Sequence, residues 1–422
     1  MHPAAAARSV ASLLMRRQRH RPAAITNTRR AAALATVPTP PAAPLSSCPI
    51  HLLPIVHHPL FSAPQLPPGH RFPMQVFRRI HDRLLASKIA VPEQIVRPDG
   101  DGALPTDEDL SLVHSREYLS ALSTGTLDPQ RARRIGFGLD AFKDPLLMRR
   151  TRAEAEGTLL TARLALERGL AVATAGGTHH AFRAEGSGFC VVCDLAYAAT
   201  RLILEGKASR VAIVDLDVHQ GDGTAAIFEQ EDEEEQDGAR QGGGGGGEGA
   251  ALVRDRVFTF SAHAASNFPA RKRRSTLDLP LADGTGDAEY LSRVADALQT
   301  VLEWLQQPQP LSSPPDDAAA PPPPPLVLYD AGVDIHADDH LGRLNISDDG
   351  LRRRELLVLD TFLAAGIPVA GLVGGGYSDS LDDLAERHCH LHRAALRMWR
   401  EYELGAVARA GAVPAAAAAA AV

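Results

Sequence analysis

Cysteine is scarce in this chain, with four residues in 422: Cys48, Cys190, Cys193 and Cys389. Four in a chain this long make no disulfide framework, so a reducing compartment suits it. Aromatic residues are also few, at 5%. No apolar run approaches the roughly 18 to 20 residues that a membrane helix needs, so membrane insertion is not expected. The net charge is -7 with no dominant basic face in the globular part, which argues against direct nucleic-acid binding. No serine or cysteine nucleophile motif is evident, so covalent acyl transfer is not expected.

Acidic residues are missing altogether before Asp82, whereas the first thirty residues carry seven Arg among Ala and Ser. A basic, acid-poor leader of this kind resembles a chloroplast or mitochondrial transit peptide. The alternative is a disordered Ala/Arg tail on a nuclear or cytoplasmic protein. Either way, residues 1–48 are expected outside the fold, with a catalytic-size domain over 49–404 and an Ala-rich disordered tail over 405–422. Two low-complexity insertions interrupt the domain. Residues 229–249 are acidic and then Gly-rich, and residues 307–325 end in five prolines. Both read as solvated surface loops, although the acidic run could also take a basic partner.

Within the domain, short apolar runs alternate with helical patterns. The runs are Leu53–Val56, Ala171–Thr174, Val211–Val214, Val257–Phe260, Leu326–Tyr329 and Pro368–Val373. Helical periodicity lies at Ala153–Arg168, Leu195–Leu204, Tyr290–Leu305 and Leu351–Ala365. Such alternation predicts a single-domain α/β fold: an open, mainly parallel sheet with helices on both faces. Ligands in such folds bind beyond the carboxyl ends of the strands.

The polar motifs follow those runs. After Ala171–Thr174 comes GGTHH, with His179 and His180 adjacent. After Val211–Val214 comes DLDVHQGDG, in which Asp215, Asp217 and His219 alternate and share one face of an extended strand end. Asp222 follows. So many ionisable groups at the end of a buried strand cost too much unless paired or bound to a cation. Mixed carboxylate and imidazole ligands suit zinc or iron(II). After Leu326–Tyr329 comes YDAGVDIHADDHLG, where Asp334 could supply a third ligand. By spacing, Asp330, His336, Asp338, Asp339 and His340 compete with it. After Pro368–Val373 comes GGGYSD, where Gly375 lies in a turn able to press backbone against a ligand and Tyr377 places a phenol at the rim. A tyrosine merely packed on a Gly-rich turn is the structural alternative. The lone CxxC of Cys190 and Cys193 reads as small residues packed at a strand-to-helix junction, the alternatives being a redox pair or half a zinc site.

GGTHH, GSGFC, DLDVHQGDG, NFP, YDAGVD and GGGY, in this order and spacing over roughly residues 50–400, resemble the histone deacetylase superfamily, which has the arginase/deacetylase fold. DVHQG, SAHAASNFPARK and ISDDGLRRRE resemble its class IV branch and bacterial relatives. The resemblance implies a zinc-dependent amidohydrolase acting on N-acyl-lysine in a histone or another protein. It implies one Zn(2+) per chain, held by Asp217, His219 and Asp334. His180 matches the general base and His179 its partner, oriented by Asp222 and Asp215 respectively. Tyr377 matches the donor to the substrate carbonyl. Gly188, Phe189 and Phe268 match the substrate tunnel, with Gly375 beside it. Asp215, Asp217, His219, Ser261 and Ala262 resemble a structural potassium site, K(+). Cys193 and Gly138 depart from the family pattern, standing where many relatives have Asn and Pro.

Three rivals share these motifs. Binuclear arginase-like relatives carry a bridging carboxylate two positions after the metal-binding His, and here that position is Gly221. The mononuclear reading is therefore favoured. A deacylase of small acylated amines, such as an acetylpolyamine amidohydrolase, shares the whole catalytic set. A non-catalytic acyl-lysine-binding scaffold would be expected to have lost Tyr377, a catalytic His or a metal ligand.

Overall fold

The apolar runs form one parallel sheet in the computed structural model, which describes residues 48–98, 104–229, 248–308 and 322–409. The strands are β1 (Ile55–Val56), β2 (Ile95–Val96), β3 (Leu170–Ala173), β4 (Val211–Asp215), β5 (Val257–Ala264), β6 (Leu277–Leu281), β7 (Leu326–Asp330) and β8 (Val369–Leu372). Their order across the sheet is β2-β1-β3-β8-β7-β4-β5-β6, and every pairing is parallel. The inner strands β3, β8, β7, β4 and β5 are buried at every residue, as expected when helices cover both faces.

The helices are α1 (Val76–Ala86), α2 (Asp107–Leu110), α3 (Arg116–Ser123), α4 (Pro129–Ile135), α5 (Pro145–Arg168), α6 (Asp194–Leu204), α7 (Asp222–Phe228), α8 (Glu248–Val253), α9 (Asp287–Gln306), α10 (Asp348–Leu363), α11 (Leu381–Glu401) and α12 (Leu404–Arg409). Helices α5, α6 and α8 pack on one another as one layer, and α9, α10, α11 and α1 as another. Start signals are local. Asp144 caps α5 ahead of Pro145, and Ser347 and Ser380 cap α10 and α11 through their hydroxyls.

Several limits read from sequence are corrected. Helix α12 runs past the boundary expected at 404, because Leu404 and Gly405 are buried, the latter against His51. The second insertion is tied to the fold at both ends: Ser209 N–H donates to the Pro324 carbonyl at 3.0 Å, and Arg210 donates to the Gln307 carbonyl at 2.9 Å. Helix α8 likewise begins inside the first expected insertion. The leader expected over 1–48 also ends one residue too late, because Cys48 is buried and its carbonyl accepts from Arg168 at 3.2 Å. The remainder of both insertions, residues 1–47 and the end of the tail lie outside the described residues. Among the described residues, no helix is long and apolar enough to cross a membrane.

This sheet order sets the site. All strands run the same way, and the order in which they are added switches sides around β8 and β7, so the loops leaving β3, β8, β7 and β4 open at the same edge, where a parallel α/β sheet places its ligand. Asp215 and Asp330 end β4 and β7 as direct register partners.

Candidate active site

The loop after β4 is organised by its own carboxylates. Asp215 Oδ1 accepts from Asp217 N–H at 3.1 Å, Asp217 Oδ1 from His219 N–H at 2.9 Å, and Asp334 Oδ1 from Val218 N–H at 2.8 Å. This alternation turns Asp217 and His219 to one side, where Asp334 from the loop after β7 meets them. His219 Nδ1 lies 3.0 Å from Asp217 Oδ1 and 3.0 Å from Asp334 Oδ2. Asp217, His219 and Asp334 are all buried, and a ligand atom from each lies within 4.8 Å of the other two. Of the candidates that spacing left open for the third position, Asp334 is therefore the one that joins this pair.

The charge balance of the three groups fits a cation. Burial alone would keep the His219 imidazole neutral, but hydrogen bonds and charges from Asp217 and Asp334 push its pKa up to about 10. The Asp334 carboxyl is raised, by burial and then by the nearby Asp217 charge. Two carboxylates and an imidazole in a dry pocket match the donor set of zinc or iron(II).

Beside this cluster, each histidine of the pair is held at Nδ1 by its own carboxylate. His179 lies 2.9 Å from Asp215 Oδ2, and His180 lies 2.7 Å from Asp222 Oδ1. The rings are 4.0 Å apart, and His180 is 5.9 Å from the His219 ring. Their environments drive them apart. Burial opposes charge on His179, yet Asp215, Asp217 and Asp330 outweigh it and hold its pKa well above the ordinary value. His180 feels burial and then the neighbouring His179 charge, and its pKa falls to about 4 despite Asp222. A cationic His179 thus stands next to a neutral His180 able to accept a proton.

Asp194, which the sequence reading passed over, builds the turn that carries both histidines. Its carboxylate accepts from Gly177 N–H, Thr178 N–H, the Thr178 hydroxyl and the Thr158 hydroxyl. Cys193 caps the start of α6 beside it, and all four cysteines are free and buried, as the packing reading of the CxxC expected. Arg354 is the other residue missed. Fully buried on α10, it donates to the carbonyls of Leu216, Ala331 and Gly332 and to Glu355. It thereby ties the loop after β4 to the loop after β7. Asp330 completes a second buried group with His179 and Asp215; its Oδ2 lies 3.7 Å from His179 Nδ1, and neither of its oxygens finds a hydrogen-bond partner among the described residues.

Aromatic residues close the cleft. The Phe268 ring lies 4.9 Å from His180 and 6.2 Å from His219, and 42% of Phe268 is exposed. Phe189 faces Tyr377 at 6.1 Å, and Tyr377 faces His219 at 6.3 Å. Gly188 brings its backbone so near that a Cβ would come within 2.5 Å of His180 and 3.2 Å of Phe268. Phe189 adopts φ of +66°, uncommon for a side-chain-bearing residue, and its N–H donates to the Ile135 carbonyl at 2.7 Å. Gly136 follows at φ +102°, where a Cβ would press the Phe189 ring at 2.8 Å, so only glycine fits that helix end. The Tyr377 phenol is raised well above its ordinary pKa by burial and then by Asp217, and stays a neutral donor.

Gly375 packs directly on the metal-site carboxylates. Its N–H donates to Asp217 Oδ2 at 2.9 Å and its carbonyl accepts from Val333 N–H at 2.7 Å. Its N–H is therefore committed to the cluster, and its carbonyl keeps one lone pair free. Of the residues matched to a potassium site, Ser261 is the register partner of Asp215 on β5, Ala262 follows it, and the Ser261 hydroxyl pairs with His263 Nδ1 at 3.1 Å.

Comparison with known proteins agrees with this architecture. A family model for the histone deacetylase domain matches residues 70–392. An uncharacterized protein of Picosynechococcus sp. (strain PCC 7002) is 45% identical over 342 residues, covering 81% of this chain and 98% of its own. Histone deacetylase 2 of Arabidopsis thaliana is 28% identical over 292 residues, 66% of this chain and 65% of its own. The acetoin utilization protein AcuC of Staphylococcus aureus is 27% identical over 330 residues, 73% of each chain. With its parallel sheet, its strand-end cluster and a family match over most of its length, this chain belongs to the histone deacetylase family.

Proposed function

We propose that this protein is a zinc-dependent deacylase that hydrolyses N-acyl-lysine in a protein substrate. The observation that carries the reading is that both histidines beside the three-ligand cluster are held at Nδ1 by a carboxylate of their own, His179 by Asp215 and His180 by Asp222.

Amide hydrolysis needs an activated water, a polarised carbonyl and a proton for the leaving amine. Asp217, His219 and Asp334 would hold one zinc ion, which would supply Lewis acidity toward the water and the acyl carbonyl. His180 takes the water's proton and later gives it to the amine, with Asp222 fixing its tautomer. His179, charged and braced by Asp215, stabilises the negative charge that develops beside it. The Tyr377 phenol donates to the oxyanion. Phe189 and Phe268 flank the acyl-bearing chain. We further propose a structural potassium ion near Asp215, Asp217, His219, Ser261 and Ala262, and a leader in residues 1–47 that directs the protein to a chloroplast or mitochondrion.

The test is a deacylation panel on purified, zinc-loaded protein, with acetyl-lysine and longer acyl-lysine peptides beside acetylated polyamines. Hydrolysis of the peptides supports the reading. Turnover of the polyamines alone would assign the small-amine chemistry, and no turnover of any substrate would refute a deacylase.

A further inference from the structure

Two basic segments from distant parts of the chain meet beside the aromatic mouth. Helix α4 contributes Arg131, Arg133 and Arg134, all exposed, and ends at Gly136 against the Phe189 wall. The segment after Phe268 contributes exposed Arg271 and Arg274 and half-buried Arg273. Phe182, two residues after His180, joins them: the guanidinium of Arg134 lies 5.6 Å from its ring centre, and that of Arg273 also 5.6 Å. The second segment is anchored to the site itself. Gln220, adjacent to His219, exchanges hydrogen bonds with the Arg273 backbone at 2.7 and 2.8 Å. Lys272 donates to the carbonyls of Asn267 and Pro269 on either side of Phe268.

Among the described residues, carboxylates pair with two of these six arginines. Glu185 pairs with Arg134 at 2.8 Å, and Glu229 approaches Arg273 at 3.9 Å. The protein as a whole carries a net charge of -7, so the concentration of arginine at this mouth runs against the overall balance. A positive rim attracts an acidic chain and repels a basic one, and in doing so changes encounter rate and partner choice more than it changes chemistry.

We propose that this arginine rim selects acyl-lysines embedded in acidic protein sequence and disfavours those in basic tails. The inference rests on the acyl-lysine reading above. The experiment uses three acetyl-lysine peptides of equal length with acidic, neutral or basic flanks, and an acetyl-lysine amide without flanks. Each is assayed for kcat/KM with the wild-type protein and with the double variants Arg131→Glu/Arg133→Glu and Arg271→Glu/Arg274→Glu. Binding of the three peptides is measured in parallel by fluorescence anisotropy. The expected result is a preference of about tenfold or more for acidic over basic flanks at low salt, shrinking as salt rises. The variants should lose or invert that preference with unchanged turnover of the flankless amide. Equal turnover of all three peptides, or a preference that survives both charge reversals, would overturn the inference. So would tighter binding of a single-stranded RNA than of the acidic peptide. If the flankless amide itself is not hydrolysed by wild-type protein, the acyl-lysine reading fails instead, while the anisotropy still shows whether the rim binds acidic chains.

Discussion

His219 shows how one residue links metal, proton and fold. Its imidazole is flanked by Asp217 and Asp334 at 3.0 Å each, and these carboxylates push its pKa up to about 10 against the effect of burial. At neutral pH it therefore carries a proton that a metal must displace, since an imidazole binds metal only when neutral. The sign follows directly. Raising the pH toward about 10 removes the competing proton and strengthens metal binding, and lowering the pH weakens it. Calorimetry of zinc uptake near neutral pH, in buffers of different ionisation enthalpy, should show net proton release. Apparent affinity should change by about tenfold per pH unit for each proton released. Uptake with no proton release would contradict the cluster's electrostatics.

At the same scale, much of the site could be read from the sequence. Asp217, His219, His179 and His180 follow apolar runs that could only be strands, and their alternation or adjacency already placed them together. Asp334 needed more, because five neighbours competed by spacing; the family resemblance chose it, and the fold brings it to His219. Asp194 and Arg354 gave no signal. Asp194 looks like an ordinary helix-start residue, and Arg354 lies in an arginine run where nothing marks the one that is fully buried. The Gly-rich turn at Gly375 is readable as a close approach, but that it approaches Asp217 is not.

Elements were legible in proportion to their burial. Strands β3, β4, β5, β7 and β8 are buried at every residue and read as continuous apolar runs. The edge strands were missed for physical reasons: β2 is two residues long, and β6 is half-exposed and contains Pro280, which an edge position tolerates. Helix α11 was missed because buried His388 and His392 occupy positions on its inner face where a pattern search expects apolar residues. Helix α10 joins the elements of the site through Arg354. Replacing it by Met should leave three loop carbonyls and Glu355 without their partner, at a cost of about 3–5 kcal/mol. The shift in denaturation midpoint measures that cost. A midpoint shifted by less than the equivalent of about 1 kcal/mol would show that this buried arginine does not hold the two strand-end loops together.

For the whole molecule, the leader and the domain make separable claims. A fluorescent protein carrying residues 1–47 is expected in an organelle, and a diffuse cytosolic or nuclear signal would refute the targeting proposal. The same residues should be dispensable for catalysis, because every group of the site lies between His179 and Tyr377. The decisive measurement concerns the domain as a catalyst: acetate released from an acetyl-lysine peptide by wild-type protein and by His180→Ala, both adjusted to the same zinc content. The account predicts about one zinc per chain in each. It predicts rapid release by the wild type and a loss of about a hundredfold or more in the variant, whose folded signal and metal content stay unchanged. Full activity in the His180→Ala protein at equal zinc content would contradict it.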